Sequence, residues 1–119
     1  MDNNEYIPVN DEKAKKVYDL VIAMEKSKNL KKGISEVTKC INKGTAKLVI
    51  IAVDAEPPEI TYSLPILCED KGIQFIHVQS KRALGKACSI ERPVVACCVY
   101  VPKEHESLRI DEKIRTLVN

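Results

Sequence analysis

The 119-residue sequence is poor in the residues that most active sites and aromatic binding surfaces need. It has no tryptophan, one phenylalanine and four tyrosines, so an aromatic platform that stacks single-stranded bases is not expected. Four glycines leave little material for a phosphate-cradling glycine loop. Its apolar runs are shorter than the ~18 residues of a membrane-spanning helix, so we expect no membrane partner.

Zinc-type cysteine spacing is also missing. The five cysteines are an odd number, none forms a Cys-x-x-Cys pair, and each lies among apolar residues. We therefore predict reduced core cysteines, no metal and no cofactor. Cys97 and Cys98 are neighbours in an expected strand and should point to opposite faces. The polar, acidic segment Met1–Asn10 resembles neither a signal nor a transit peptide, so a cytosolic or nuclear protein is expected.

Residues for catalysis are equally sparse. Asp54 and Glu56 could act as paired carboxylates, but neither a nucleophile nor an orienting group completes such a site. His77 lies among apolar residues of an expected strand, where a core or sheet-surface histidine is typical, and His105 lies in a polar tail. We predict that the protein is not an enzyme; a small enzyme that uses Asp54 and Glu56 is the alternative.

The charge is nearly balanced overall but unevenly distributed. The formal net charge is +2, which argues against a non-specific polyanion binder. Residues 26–47 nevertheless contain seven lysines and one acid, Glu36. Lys81, Arg82 and Lys86 form a second basic group. Such patches indicate either a local nucleic-acid site or a solubilising face, and charge alone does not separate the two.

Hydrophobic periodicity predicts alternating helices and strands in one domain, residues 1–119. Such alternation is typical of a three-layer α-β-α sandwich, an α/β fold with a small mixed sheet. The expected helices run from Asn10 or Asp11 to about Ser27, within Leu30–Gly44, from Pro57 or Pro58 to about Lys71 with a disturbance at Pro65, from Ser80 to about Ala87, and over about Glu106–Val118. The expected strands are Lys47–Val53, Gln74–Val78 and Val94–Val101.

The stretch Leu30–Gly44 combines a core face with a polar face. Three residues at helical spacing should be buried: Val37, Cys40 and Ile41. Ser35, Glu36 and Lys39 fall on the other side, near the helix start, where free N–H groups favour an anion. Glu36 could accept from a guanine edge and Lys39 could donate to a guanine carbonyl. The alternative is a solvated face with a Glu36–Lys39 ion pair.

Two loops belong with this helix start. Asp54–Pro58 follows an expected strand, and Ser89–Pro93 precedes another. Ligands of open α/β sheets bind at the carboxyl ends of strands. If both loops converge with the start of the Leu30–Gly44 helix, the three segments form one composite site.

In combination these segments resemble the kink-turn RNA-binding family of archaeal and eukaryotic ribonucleoproteins, and most closely its spliceosomal and box C/D small nucleolar members. The similarity covers about Asp11 to Val101. It rests on Lys32–Lys39, Ala52–Ile60, Leu64–Lys71 and Ser80–Cys88. The resemblance implies an α-β-α sandwich that binds a bent RNA internal loop with tandem sheared G·A pairs.

Positions carried over from the family supply the candidate site. Gly33, Ser35, Glu36 and Lys39 would contact guanines in the widened major groove, and Lys31 and Lys32 would contact phosphates. Glu56, Ile60, Lys81, Ile90, Arg92 and Val95 would form a wall against a flipped-out nucleotide. Two positions depart from the family: Ser35 stands where asparagine is usual, and Glu91 where the spliceosomal protein has serine.

The function implied is recognition of kink-turn RNA that nucleates assembly of a small nuclear or small nucleolar ribonucleoprotein. The expected partners are structured RNA and other ribonucleoprotein components, with a monomer in the free state. The expected location is the nucleus or nucleolus, or the cytoplasmic ribosome for a ribosomal member. Alternatives are a ribosomal or box H/ACA member, and a protein-interaction scaffold with weakened specific RNA binding.

Overall fold

The computed structural model describes residues 7–102 and 108–118, with the side chain of Leu108 left out. Over these ranges the chain forms five α-helices and four β-strands. The helices are α1 (Asp11–Lys26), α2 (Ile34–Lys43), α3 (Ser63–Lys71), α4 (Lys81–Ala87) and α5 (Leu108–Val118), and the strands are β1 (Leu30–Lys32), β2 (Ala46–Ala52), β3 (Gln74–Val78) and β4 (Ala96–Tyr100). None of the described helices is long and apolar enough to cross a membrane.

The four strands form one mixed sheet in the order β1-β4-β2-β3. Strand β4 is antiparallel to both β1 and β2, whereas β2 and β3 are parallel. Helices α1, α4 and α5 pack on one face and α2 and α3 on the other. The predicted three-layer sandwich with a small mixed sheet is confirmed.

Alternating side chains of the central strands separate the two cores. In β2, Leu48 and Ile50 face the α1 side, and Val49 and Ile51 face the α2 side. Cys97 and Cys98 divide in the same way, as predicted. All five cysteines are free and buried. Burial raises the pKa of Cys68 to about 11, which keeps this thiol protonated and unreactive.

Local signals explain where several helices begin and end. The Asn10 side chain accepts from the Lys13 backbone N–H at 2.9 Å and caps α1, and the Ser80 hydroxyl accepts from the Ala83 N–H at 3.0 Å and caps α4. Helices α2 and α3 end at Gly44 and Gly72, whose φ values of 77° and 69° suit glycine. The predicted bounds of α1 and α4 agree with the structure within one residue.

One strand was not predicted, and three predictions about elements were wrong. Leu30–Lys32 is an edge strand, so the sheet has a fourth strand that the sequence did not indicate. The helix after β2 is interrupted at Tyr62, between a 3-10 turn at Pro58–Thr61 and α3. Pro65 causes no interruption because it lies in the first turn of α3, where its missing N–H has no intrahelical partner to lose. Strand β4 is shorter than Val94–Val101, and the predicted start of the last helix at Glu106 lies outside the described residues.

Candidate nucleic-acid interface

One edge of the sheet collects every segment of the composite site. The carboxyl ends of the parallel strands β2 and β3 lie there. The carboxyl end of β1 and the amino end of β4 lie at the same edge, because β4 runs antiparallel to both β1 and β2. Four segments therefore leave the sheet on one side: the start of α2, the loop after β2, the start of α4 and the loop before β4. We call this the site edge.

Backbone hydrogen bonds fix the start of α2 to the amino end of β4. The Gly33 N–H donates to the Ala96 carbonyl at 2.8 Å, and the Ala52 N–H donates to the Val95 carbonyl at 2.8 Å. Gly33 has a φ of +96°, a value that side chains disfavour, and this turns the chain from β1 into α2. These bonds hold the start of α2 and the end of β2 against the residues that lead into β4, which is the convergence that the composite site requires.

A second pair of hydrogen bonds joins the start of α4 to the loop after β2 and to the residues before β4. The Asp54 carboxylate accepts from the Lys81 backbone N–H at 2.8 Å, so it stabilises the start of α4. The Val94 N–H donates to the Lys81 carbonyl at 3.0 Å. Asp54 therefore holds the loop after β2 against the start of α4. Among the described residues no group of three or more His, Cys, Asp and Glu side chains could hold a metal ion.

Gly85 lets α4 lie directly against the loop before β4. The Ile90 N–H donates to the Gly85 carbonyl at 3.1 Å. A Cβ atom at Gly85 would overlap the carbonyl oxygen of Arg92. The sequence does not reveal this role of Gly85, because a lone glycine inside a short helix carries no signal of what packs against it.

The polar face of α2 points to solvent at the site edge. Ser35 and Lys39 are exposed and Glu36 is half-buried, while the opposite side of the helix is buried as predicted. Glu36 and Lys39 form an ion pair at 3.7 Å. Such an exposed pair is worth about 0.2–1 kcal/mol, so a ligand can separate it at little cost.

The two lysines of β1 lie on opposite faces of their strand. The Lys32 ammonium pairs with Glu25 of α1 at 3.1 Å. Lys31 lies on the α2 side, with its ammonium 5.1 Å from the centroid of the Tyr100 ring. Their predicted contacts with phosphates would therefore differ, since Lys32 must first leave a carboxylate partner.

The predicted wall residues border the rest of the site edge. Glu56 and Arg92 are exposed, while Lys81, Ile90 and Val95 are half-buried. In the 3-10 turn Ile60 exposes 37% of its surface. A cavity of about 350 Å³ between α4 and the loop before β4 lies next to this wall and is lined by Arg82, Lys86, Ile90, Glu91, Arg92 and Pro93. Partly exposed aliphatic groups among cations suit a base attached to its phosphates.

His77 does not join the site. His77 is buried in β3, with its ring centroid 5.8 Å from that of Phe75 in an edge-to-face arrangement. Burial lowers its pKa to about 4, so the ring is neutral at physiological pH. This confirms the prediction of a core histidine. His105 lies outside the described residues.

The fold and the site edge define a class: an α-β-α sandwich whose basic, polar helix start meets loops at the carboxyl ends of strands. Within that class the chain belongs to the ribosomal protein L7Ae/L30e/S12e/Gadd45 family, whose sequence profile matches residues 15–109. The resemblance stated from the sequence is confirmed at the level of the family.

Known relatives support this assignment over most of the chain. NHP2-like protein 1 from Xenopus tropicalis is 47% identical over 95 residues, which cover 80% of this chain and 73% of that protein. The Caenorhabditis elegans small nuclear ribonucleoprotein associated homolog 13 is 46% identical over 86 residues, 72% of this chain and 67% of that protein. The solved structure of the Giardia lamblia 15.5kD RNA binding protein superposes with a TM-score of 0.87 at 32% identity, covering 99% of this chain and 94% of that one.

Proposed function

We propose that this protein binds kink-turn RNA and nucleates assembly of a small nuclear or small nucleolar ribonucleoprotein. The observation that supports this most is that the start of α2, with Glu36 and Lys39 on its polar face, lies at the same sheet edge as the loops with partly exposed aliphatic side chains. Family membership and the similarity to an RNA-binding protein of Giardia lamblia support an RNA partner. A Caenorhabditis elegans relative named for a small nuclear ribonucleoprotein favours a nuclear particle over the ribosome.

The geometry of α2 favours bent RNA over a regular helix. A-form RNA has a deep, narrow major groove that side chains cannot reach. A helix start can approach guanine edges only where a bend or internal loop opens that groove. There the Glu36 carboxylate would accept from guanine N–H groups, while Lys39 would donate to a guanine carbonyl oxygen.

The wall residues form a contact surface for a flipped-out nucleotide. Ile60, Ile90 and Val95 offer aliphatic surface to a base, and Lys81 and Arg92 offer cations to its phosphates. This division explains how a chain of net charge +2 can bind RNA: its cations gather where one shaped site needs them.

A comparison of two RNAs tests the proposal. One carries a kink-turn with tandem G·A pairs, and the other has these pairs replaced by G·C so that the bend is lost. We expect at least about tenfold tighter binding to the first RNA, the scale of one good bidentate base contact. Equal affinities for the two RNAs would contradict the proposal.

A charge-matched pair of variants tests the role of Glu36. Both Glu36→Ala and Glu69→Ala remove one exposed or half-buried acid and raise the net charge by one. Glu69 lies near the end of α3, and the chain next enters β3 at the sheet edge opposite the site edge. We expect Glu36→Ala to weaken kink-turn binding about tenfold or more, because guanine donors lose their acceptor. Glu69→Ala should weaken it little or not at all; equal effects would remove Glu36 from the contact.

A further inference from the structure

One ion pair connects the end of α1 to the residue that precedes the turn into α2. Glu25 lies in the last turn of α1, and Lys32 ends β1 directly before Gly33. The Lys32 ammonium lies 3.1 Å from a Glu25 carboxylate oxygen. Among the described residues this is the shortest of three ion pairs, and its side chains, which are 31% and 27% exposed, are the most shielded from water. Glu25 therefore holds its lysine more firmly than Glu36 holds Lys39.

The register of the strands places this ion pair on the α1 side of the sheet. Lys32 lies opposite Cys97 of β4, whose side chain belongs to the core beneath α1, and cross-strand partners share a face. Lys31 lies on the other face against the Tyr100 ring, and no ion pair joins it to an acid among the described residues. Of these two neighbouring lysines, only Lys32 has its charge compensated by an acid of another element.

We propose that Glu25 limits RNA affinity by competing with an RNA phosphate for the Lys32 ammonium. The inference rests on the proposed function, in which Lys32 contacts a phosphate, and it names an acid on α1 that regulates the same site. Two anions on one ammonium repel each other. RNA therefore gains the full contact with Lys32 only when it displaces Glu25, and the free energy of the ion pair is subtracted from that of binding.

Glu25 and Glu36 thus act in opposite directions, although each pairs with a lysine. Glu36 lies on the polar face of α2, where a guanine edge offers its carboxylate new N–H donors. The group expected beside Lys32 is a phosphate diester, which has acceptor oxygens and no donor. Loss of the Glu36 carboxylate should therefore weaken RNA binding, whereas loss of the Glu25 charge should strengthen it.

The test removes the charge of Glu25 and keeps its shape. Glu25→Gln leaves a carbonyl oxygen that can still accept from Lys32, so the variant should fold. Glu69→Gln is the matched control, since it makes the same chemical change near the end of α3, away from the site edge. Each protein is titrated with the kink-turn RNA and with the RNA whose G·A pairs are replaced by G·C, and its thermal melt is recorded.

We expect Glu25→Gln to bind the kink-turn RNA about twofold to fivefold more tightly than wild type, which is the strength of a partly exposed ion pair expressed as a ratio of affinities. Its preference for G·A over G·C RNA should not fall, because a phosphate contact carries no sequence information. Its melting temperature should be slightly lower, because the ion pair also joins α1 to β1. A purely structural residue would not combine lower stability with tighter binding. Glu69→Gln should leave both RNA affinities unchanged.

Two lysine backgrounds show whether Glu25 acts through Lys32. In the Lys32→Gln protein, the further change Glu25→Gln should produce little or none of the gain in affinity, because the contested ammonium is gone. In the Lys31→Gln protein the full gain should remain, since Lys31 lies on the opposite face of β1 and does not pair with Glu25.

Four results would overturn the inference. They are unchanged or weaker kink-turn binding in Glu25→Gln, a lower preference for G·A over G·C RNA in that variant, an equal gain in Glu69→Gln, or an equal gain in the Lys32→Gln background. Failure of the proposed function shows differently, as wild-type protein that does not distinguish G·A from G·C RNA.

Discussion

Replacement of Gly85 by alanine tests how α4 and the loop before β4 support each other. A Cβ atom at this buried position would overlap the Arg92 carbonyl oxygen and lie 3.1 Å from the Arg92 carbonyl carbon and 3.3 Å from the Pro93 Cα. These are backbone atoms that cannot rotate aside. Either α4 or the loop must move, and the loop carries Ile90 and Arg92 of the proposed wall.

The expected change in the free energy of unfolding combines one stabilising contribution with two destabilising ones. Alanine is about 0.8–1.0 kcal/mol better than glycine inside a helix. Overpacking a well-filled site costs about 1–3 kcal/mol. The shift also threatens the Ile90 N–H to Gly85 carbonyl bond of 3.1 Å and the Val94 N–H to Lys81 carbonyl bond of 3.0 Å, each worth about 0.5–1.5 kcal/mol. If both bonds are lost, Gly85→Ala should lower the free energy of unfolding by about 1–5 kcal/mol.

Urea unfolding monitored by circular dichroism measures this loss, and an RNA titration in the absence of urea measures the affinity. Gly72→Ala is the control, since its φ of +69° strains alanine by about 1–2 kcal/mol although a Cβ there would meet nothing within 4 Å beyond its chain neighbours. Both variants should be destabilised, but only Gly85→Ala should lose RNA affinity. A Gly85→Ala protein that is more stable than wild type, with unchanged affinity, would refute the packing argument.

Two further predictions concern single side chains. Ser35→Asn should tighten kink-turn binding about tenfold, since an amide adds a donor that the shorter hydroxyl lacks. One good base contact is worth about 1–3 kcal/mol. Unchanged affinity in the RNA titration would show that residue 35 does not contact the RNA. Burial lowers the pKa of His77 to about 4, so the unfolded chain binds more protons below pH ~6.5. The free energy of unfolding should therefore fall as pH drops from ~6.5 to about 4, by up to ~1.4 kcal/mol per pH unit, and His77→Gln should show a shallower dependence in urea unfolding at several pH values.

The sequence predicted those elements in which the pattern of apolar residues itself indicates the buried positions. The continuous apolar run of β2 indicates a strand buried on both faces, and the stripe of α1 indicates one buried side. Strand β1 lacks such a pattern, because two of its three residues are lysines. It forms through its pairing with β4, about 70 residues away in the chain, and no local preference reveals that pairing.

The same distinction separates the predicted from the unpredicted parts of the site. Spacing along α2 placed Glu36 and Lys39 on one exposed side, since helical periodicity is local. The bond between Asp54 and the Lys81 N–H joins residues 27 positions apart, and the pairing of Lys32 with Glu25 depends on how β1 meets α1. These contacts exist only after the sheet has brought its edge together.

Glu36 decides which RNA groups the site edge repels and which it attracts. It is the one acid among seven lysines of residues 26–47, and a carboxylate there opposes phosphates that approach without register. A guanine edge reverses that penalty because its N–H groups donate to the carboxylate. Under the proposed function, the lysines of this segment would supply affinity for RNA and Glu36 would supply specificity, because only an accessible guanine satisfies its carboxylate.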